Sequence, residues 1–216
     1  MKQKPARSLL LEGAEKLGLS LLPEQIDQFM VYLDLLKRWN RRMNLTALTG
    51  NQAIIEKHFL DSLMGAGVIE TGKELRVFDI GTGAGFPSIP LKIQRPEISV
   101  TLVDSSRKKT AFLLNLCGNL GLKTVRVLTE RVETLHHSPD HQSHYDWVVA
   151  RAFAKPALTF RTAVPFRAPT GRILLYLSPS GAEELGPPDG WASSRIDYAL
   201  PFSESKRSLV LLSRSE

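Results

Sequence analysis

Residues 77–91 read VFDIGTGAGFPSIPL, and this stretch decides how the chain folds. A short apolar run ends at Asp79, glycines stand at positions 81, 83 and 85, and an apolar segment that suits a helix follows. Glycines in this pattern let the backbone turn sharply and approach a ligand closely, where any Cβ would collide. The stretch therefore predicts a strand, a tight ligand-binding turn and a helix.

Short β-branched runs alternate with helical stretches from residue 75 onward. The runs are LRVFDI, ISVTLVD, TVRVLTE, YDWVVAR, GRILLYLS and SLVLLSR. Such alternation predicts an α/β, Rossmann-like fold with a mostly parallel sheet flanked by helices. The last pair of strands suits antiparallel pairing, and the sequence leaves their order open.

The first third of the chain has a different pattern. Apolar residues recur at three- and four-residue spacing between Pro23 and Met43: Ile26, Phe29, Met30, Leu33, Leu36 and Trp39. This spacing predicts an amphipathic helix, with shorter helices near 5–18 and 51–65 and no strand before residue 75. We therefore expect an N-terminal helical subdomain over 1–70 and a ligand-binding domain over 71–216.

Composition limits the class of protein and the partner. The 216 residues are 43% hydrophobic, enough for a core, and no apolar run suits a signal peptide or a membrane span. One cysteine, Cys117, fits a reducing compartment, so we expect a cytoplasmic protein. We also expect a monomer. The net charge of +6 comes from clusters of basic residues, which suit either a phosphate backbone or solvated helix faces; charge alone does not decide between them.

The spacing of the glycines separates two classes of cofactor. A dinucleotide loop beginning at Gly81 would place glycine at position 86, which is Phe86. S-adenosylmethionine has no phosphate to cradle, so the D-x-G-x-G-x-G loop favours that cofactor. Asp104, at the end of the second predicted strand, is placed to bind both ribose hydroxyls, although an acid there also suits a helix N-cap.

Six longer motifs bear a resemblance to one family. They are KRWNRRMNLTALTG, KHFLDSL, VFDIGTGAGFPSIPLKIQRPE, TLVDSSRKKTAFL, TERVETL and VVARAFAKP. Together they resemble the glucose-inhibited division protein B family of small-subunit ribosomal RNA methyltransferases. The resemblance implies methyl transfer from S-adenosylmethionine to N7 of one guanine in the decoding region of 16S rRNA, with the small ribosomal subunit or its precursor as partner.

The resemblance also implies which residues bind the cofactor. The implied contacts are Gly81, Phe86, Val132, Glu133 and Arg151. The glycine pattern itself adds Gly83, and Asp104 keeps its predicted place at the ribose. On spacing alone Glu133 suits a solvated surface and Arg151 an ordinary strand end. The chain departs from the family at Ser178 and Pro179, where a lysine–glycine pair is usual, which puts any role of that lysine in doubt here; Ser88, where the family often has glycine, is tolerable variation.

No catalytic acid or base is expected, because guanine N7 carries a free lone pair and no proton. The candidates for RNA contact are Arg41, Arg42, Asn44, His58 and Phe153, since basic side chains bind phosphates and planar groups receive unstacked bases. The simpler interpretation of His58 and Asp61 is a hydrogen-bonded pair on a helix surface.

Four histidines between 136 and 144 raise a zinc site as an alternative. Their spacing matches no structural zinc site, so we expect a solvated loop and no metal. The rival functions are a methyltransferase acting on another RNA, a small molecule or a protein, an adenosine-binding module without turnover, and a nicotinamide oxidoreductase, which Phe86 disfavours.

Overall fold

A seven-stranded sheet forms the centre of the molecule. The computed structural model describes residues 4–70 and 74–215. The strands are β1 Arg76–Ile80, β2 Ser99–Val103, β3 Val125–Leu128, β4 Tyr145–Arg151, β5 Arg167–Leu177, β6 Trp191–Ala199 and β7 Lys206–Arg214. Their order is β3-β2-β1-β4-β5-β7-β6, and the first five run parallel. The predicted mostly parallel α/β fold is confirmed.

The antiparallel end of the sheet settles the order that the sequence left open. β7 pairs antiparallel with β5 on one side and with β6 on the other. β6 has no counterpart among the predicted runs, because WASSRIDYA is polar and seven of its nine residues are exposed. An edge strand pairs on one side only, so its backbone hydrogen bonds form without the apolar pattern of a central strand.

Helices lie along the chain in the predicted places, with one change. They are α1 Ala6–Lys16, α2 Pro23–Met43, α3 Asn51–Ile54, α4 Asp61–Leu63, α5 Ser88–Gln94, α6 Arg107–Leu120, α7 Val132–Leu135, α8 Pro156–Ala163 and α9 Pro179–Leu185. The helix predicted over 51–65 is interrupted by a π-helical turn, Ile55–Leu60, and ends in a 3-10 turn, Met64–Gly67. None of the helices in the two described ranges is long and apolar enough to cross a membrane.

The N-terminal helices pack against one face of the sheet. Phe29 and Leu36 of α2 join Leu60 and the strand residues Val77 and Leu102 in one buried cluster. Further contacts fix this packing, since the Gln25 side chain accepts a hydrogen bond from the Leu22 N–H and donates to the Ile93 carbonyl of α5. Helices and sheet therefore share one hydrophobic core, which holds the helical residues beside the carboxyl ends of the strands.

Candidate active site

Two adjoining cavities open at the carboxyl ends of the parallel strands. The strand order reverses between β1 and β4, and ligands of open α/β sheets bind at such a point. The glycine-loop cavity, of about 360 Å³, is lined by Gly81, Asp104, Ser105, Lys109, Glu130, Arg131, Val132, Glu133, Ala152 and Phe153. The helix-side cavity, of about 650 Å³, includes His58, Asp61, Arg151, Tyr176 and Glu184, and shares Ala152 and Phe153 with the first.

The glycine loop adopts a backbone that other residues rarely take. Gly81 and Gly85 have φ values of +64° and +99°. A Cβ on Gly81 would lie 2.5 Å from Cδ2 of Phe153, and one on Gly85 would lie 2.8 Å from the Tyr32 hydroxyl. Both a positive φ and close neighbours therefore require glycine here. Gly85, rather than a glycine at position 86, provides the close helix packing that a dinucleotide loop takes from its third glycine.

Buried polar groups hold the loop from below. The Tyr32 hydroxyl donates to the Ala84 carbonyl, and the Asp79 carboxylate accepts from the Ser88 N–H at 3.1 Å and from the Thr82 hydroxyl at 2.9 Å. Asp79 is fully buried, and this burial raises its pKa from 3.8 to about 7 against the lowering effect of those hydrogen bonds. The loop is therefore fixed before any ligand binds.

Asp104 connects the glycine loop to the next helix. Its carboxylate accepts hydrogen bonds from the Gly83 N–H at 3.1 Å, the Ser106 N–H at 2.9 Å and the Lys109 ammonium at 3.3 Å. A carboxylate has about four lone-pair positions, and these three hydrogen bonds leave one of them free. A second position becomes free if the partly exposed Lys109 side chain turns away. The two positions match the two hydroxyls of a ribose.

Val132 and Glu133 begin α7 beneath the same cavity. Val132 is buried and Glu133 is exposed, as spacing alone suggested, yet both line the glycine-loop cavity. Phe86 is placed differently. Its ring is only 5% exposed and stacks on Tyr32 and His58, with centroids 5.3 and 4.4 Å away. Phe86 lines neither cavity, so its contact with the cofactor stays a prediction.

Arg151 is the centre of a charged cluster. Its Nη1 donates to Asp61 Oδ2 and to the Lys57 carbonyl, each at 2.9 Å, and its Nη2 lies 2.9 Å from His58 Nδ1. The guanidinium also lies 5.1 Å from the centroid of the Phe86 ring. These four partners fix the guanidinium on the wall of the helix-side cavity, so it is more than a strand-end cation.

The interpretation of His58 and Asp61 as a surface pair is wrong. Asp61 is only 4% exposed, and both side chains bind Arg151 rather than each other. His58 lies within the π-helical turn, where the neighbouring Lys57 carbonyl also accepts a hydrogen bond from Arg151. Burial and the charge of Arg151 lower the pKa of His58 to about 3, so the imidazole is neutral.

The candidates for RNA contact fall into two groups. Arg41, Arg42 and Asn44 are exposed at the end of α2, where Asn44 ends the helix in the left-handed conformation. Phe153 instead forms the wall between the two cavities. The structure thus brings Phe153 together with His58 beside Arg151, and leaves the other three residues on the surface of the helical segment.

The histidine-rich loop is less solvated than its sequence suggests. His141 is 4% exposed and its Nδ1 lies 2.7 Å from the Tyr145 hydroxyl, so the expectation of a solvated loop is wrong for this residue. Apolar packing against Phe78 accounts for its burial. Over 4–70 and 74–215, no three His, Cys, Asp or Glu side chains are arranged to hold a metal ion.

A comparison with models of protein families shows which family the chain belongs to. Residues 25–209 match the model of the GidB family, described as rRNA small subunit methyltransferase G. The chain belongs to the GidB family. Membership confirms the family predicted from the motifs, and with it a small-subunit rRNA methyltransferase that uses S-adenosylmethionine.

Curated relatives agree with the family match over nearly the full chain. The chain is 38% identical to the ribosomal RNA small subunit methyltransferase G of Acetivibrio thermocellus, over 99% of this chain and 90% of the relative. It is 44% identical to that of a Roseiflexus species, over 81% and 73% of the two chains. The GidB assignment therefore rests on both the family pattern and whole-length similarity.

Solved structures with low sequence identity share the fold. A putative O-methyltransferase from Klebsiella pneumoniae superposes with a TM-score of 0.59 at 14% identity, over 86% of this chain and 90% of that one. A predicted O-methyltransferase from Agrobacterium tumefaciens gives 0.59 at 19% identity, over 72% and 81%. These likenesses concern the fold alone.

The residues of the glycine-loop cavity fit the cofactor of the GidB family. The carboxylate of Asp104 has room for ribose hydroxyls, and a Cβ on Gly81 would fill the space next to Phe153. Three residues that line the helix-side cavity were not predicted from the sequence: Tyr176, Glu184 and Arg207 come from separate helices and strands. Only the sheet order brings them together.

Proposed function

We propose that this chain transfers a methyl group from S-adenosylmethionine to N7 of one guanine in the decoding region of 16S rRNA. The observation that supports this most is the pair of adjoining cavities, which share Ala152 and Phe153. A methyl donor in one and an unstacked base in the other would meet at this common wall. The family supplies the class of substrate, and the cavities supply a place for each reactant.

The cofactor is held, in this proposal, by residues around the glycine-loop cavity. Asp104 binds the ribose, Gly81 and Gly83 give the backbone room to approach, and Val132 and Glu133 form the far side. Phe86 supports the site through its ring, which packs against His58 and Arg151. When bound, S-adenosylmethionine supplies an electrophilic methyl group on a positively charged sulfur.

Methyl transfer to N7 needs alignment rather than proton removal. The lone pair of N7 lies in the plane of the ring and carries no proton, so the site has to orient the base and exclude water. His58 supports this proposal, because both of its ring nitrogens already form hydrogen bonds within the protein. Because Arg151 only donates, His58 accepts at Nδ1, and its Nε2–H therefore faces the Thr46 hydroxyl at 2.8 Å.

The RNA would approach along the helical segment. Arg41 and Arg42 extend into solvent and suit phosphates, while Asn44 offers an amide next to them. Phe153 at the common wall and Arg151 in the helix-side cavity suit stacking on the target base. Residues 1–70 would thus act mainly on RNA, and residues 71–216 mainly on the cofactor, with His58 lining the helix-side cavity.

The remaining features of the proposal concern context. We infer a monomer that acts in the cytoplasm on the small ribosomal subunit or its precursor. The ribosomal substrate supports that location, as does a reduced cysteine, Cys117, buried in α6.

Methyl transfer in vitro tests the proposal. The purified chain would be incubated with isotopically labelled S-adenosylmethionine and with small subunits, large subunits or a small-molecule extract, all from cells that lack this protein. We expect label in 16S rRNA of the small subunit. Binding of the cofactor without transfer to any of these substrates would favour an adenosine-binding module, and label in the extract alone would favour a small-molecule methyltransferase.

A further inference from the structure

Asp61 is a buried carboxylate at the base of the helix-side cavity. Its Oδ2 accepts from Arg151 Nη1 at 2.9 Å, and its Oδ1 accepts from the Tyr198 hydroxyl at 2.7 Å. Arg207 Nε lies 3.8 Å from the same Oδ1. Only 5% of the Asp61 side chain is exposed, so these partners take the place of water around its carboxylate.

The Arg151 side chain is also withdrawn from water, with 13% of it exposed. A buried guanidinium without a counterion would make this part of the site strongly positive. The neighbouring His58 adds no charge, because its pKa is lowered to about 3. The other charged groups that line the cavity are Lys57, Glu184 and Arg207, so Asp61 is the one buried carboxylate among the described residues of this lining.

A positive site opposes the methyl donor that the proposed function requires. The sulfur of S-adenosylmethionine is a permanent cation, whereas S-adenosylhomocysteine, formed when the S–CH₃ bond breaks and the N7–CH₃ bond forms, is neutral at sulfur. The positive charge passes with the methyl group to the guanine. Cationic charge is therefore present in this region before and after transfer, and an unpaired Arg151 would repel it in both states.

We propose that Asp61 is a positioning residue that fixes Arg151 and neutralises its charge, so that the site accepts a cationic methyl donor. The inference rests on the proposed function, since it concerns the same cofactor. It assigns to the helical segment a role in cofactor binding, because Asp61 begins α4 and reaches across to the end of β4.

Binding of two ligands separates charge compensation from a merely structural role. The dissociation constants of S-adenosylmethionine and S-adenosylhomocysteine would be measured by calorimetry for the wild type and for Asp61→Asn. We divide the dissociation constant of S-adenosylmethionine by that of S-adenosylhomocysteine. This ratio should be at least tenfold higher in Asp61→Asn than in the wild type, a difference of about 1.4 kcal/mol in binding free energy. The neutral ligand should lose far less affinity. An equal change for both ligands would overturn the proposal.

Variants of Arg151, which forms the ion pair with Asp61, keep the test valid if Asp61→Asn folds poorly. Arg151→Gln removes the cation and keeps the carboxylate, so the same ratio should fall. The double variant removes both charges and should return the ratio to within about threefold of the wild type. A ratio that stays constant in Arg151→Gln would also count against charge compensation.

Asp146→Asn is the matched control. Asp146 is paired with Arg76 at 3.1 Å, on the same strand β4 but five residues before Arg151, or roughly 17 Å along a strand. Its substitution removes an ion pair and should leave the ratio unchanged. If the wild-type chain binds neither ligand, the proposed function itself fails; if it binds both and only the ratio is insensitive to Asp61, this inference fails alone.

Discussion

Substitution of Gly81 by alanine tests the geometry of the glycine loop. The residue has φ +64°, a conformation that costs an alanine about 1 kcal/mol. The new Cβ would also lie 2.5 Å from Cδ2 of Phe153, so the ring has to move by about 1 Å to reach the ordinary contact range that begins at 3.4 Å. Because Phe153 lines both cavities, its displacement should weaken cofactor binding as well as stability.

Gly18→Ala supplies the matched control for this substitution. Gly18 has φ +68°, and nothing lies within 4 Å of an added Cβ, so it isolates the cost of the backbone. We expect both variants to lose about 1 kcal/mol of unfolding free energy in denaturant titrations, with a further loss in Gly81→Ala. Calorimetry should show a dissociation constant for S-adenosylhomocysteine at least tenfold higher in Gly81→Ala alone. Unchanged affinity in Gly81→Ala would refute the assigned role of the loop.

Three further predictions concern the RNA surface, a buried acid and the support of the loop. Replacing Arg41 and Arg42 by glutamine should weaken binding to small subunits and lower the slope of log affinity against log salt by about 1.5, measured by filter binding. Asp79→Asn should flatten the pH dependence of the unfolding free energy. The pKa of Asp79 is about 7 in the folded chain and 3.8 in the unfolded chain, so the unfolded chain releases the proton first. The wild type therefore loses up to about 1.4 kcal/mol of unfolding free energy per pH unit as the pH rises between these two values. Tyr32→Phe should cost about 1 to 3 kcal/mol of unfolding free energy, because the Ala84 carbonyl loses its buried donor.

Each of these three predictions has a clear contrary result. An unchanged salt slope would mean that the two arginines meet no phosphate; Lys123→Gln, on an exposed residue between β2 and β3, is the control for general charge. An Asp79→Asn variant with the same pH dependence as the wild type would show that the carboxyl ionises normally. Wild-type stability in Tyr32→Phe would show that the hydroxyl does not hold the loop.

The sheet and the glycine loop were predictable because their signals are local. The short β-branched runs VFDI and ISVTLVD, each followed by a helical stretch, indicate strands, and the glycines at 81, 83 and 85 are required by their own backbone angles. β6 escaped prediction because an edge strand with exposed side chains needs no apolar pattern. The π-helical turn at 55–60 leaves no recognisable trace in IEKHFL, whose apolar spacing also suits a regular helix.

The charged cluster around Arg151 could not be predicted from local sequence patterns. His58 and Asp61 are three residues apart, which on a regular helix suggests a surface pair. Their real partner, Arg151, is 90 residues beyond Asp61 in the chain. Only the packing of the helical segment on the strand ends brings the three together, and no spacing rule in a single sequence encodes that distance.

The most direct test of the central claim is a map of modified bases in 16S rRNA from cells with and without this protein. Mass spectrometry of nuclease fragments, with primer extension to locate the base, would be applied to both samples. The account predicts one N7-methylguanine in the decoding region that disappears without the protein and returns when the gene is restored. Identical modification of the two rRNAs would contradict it.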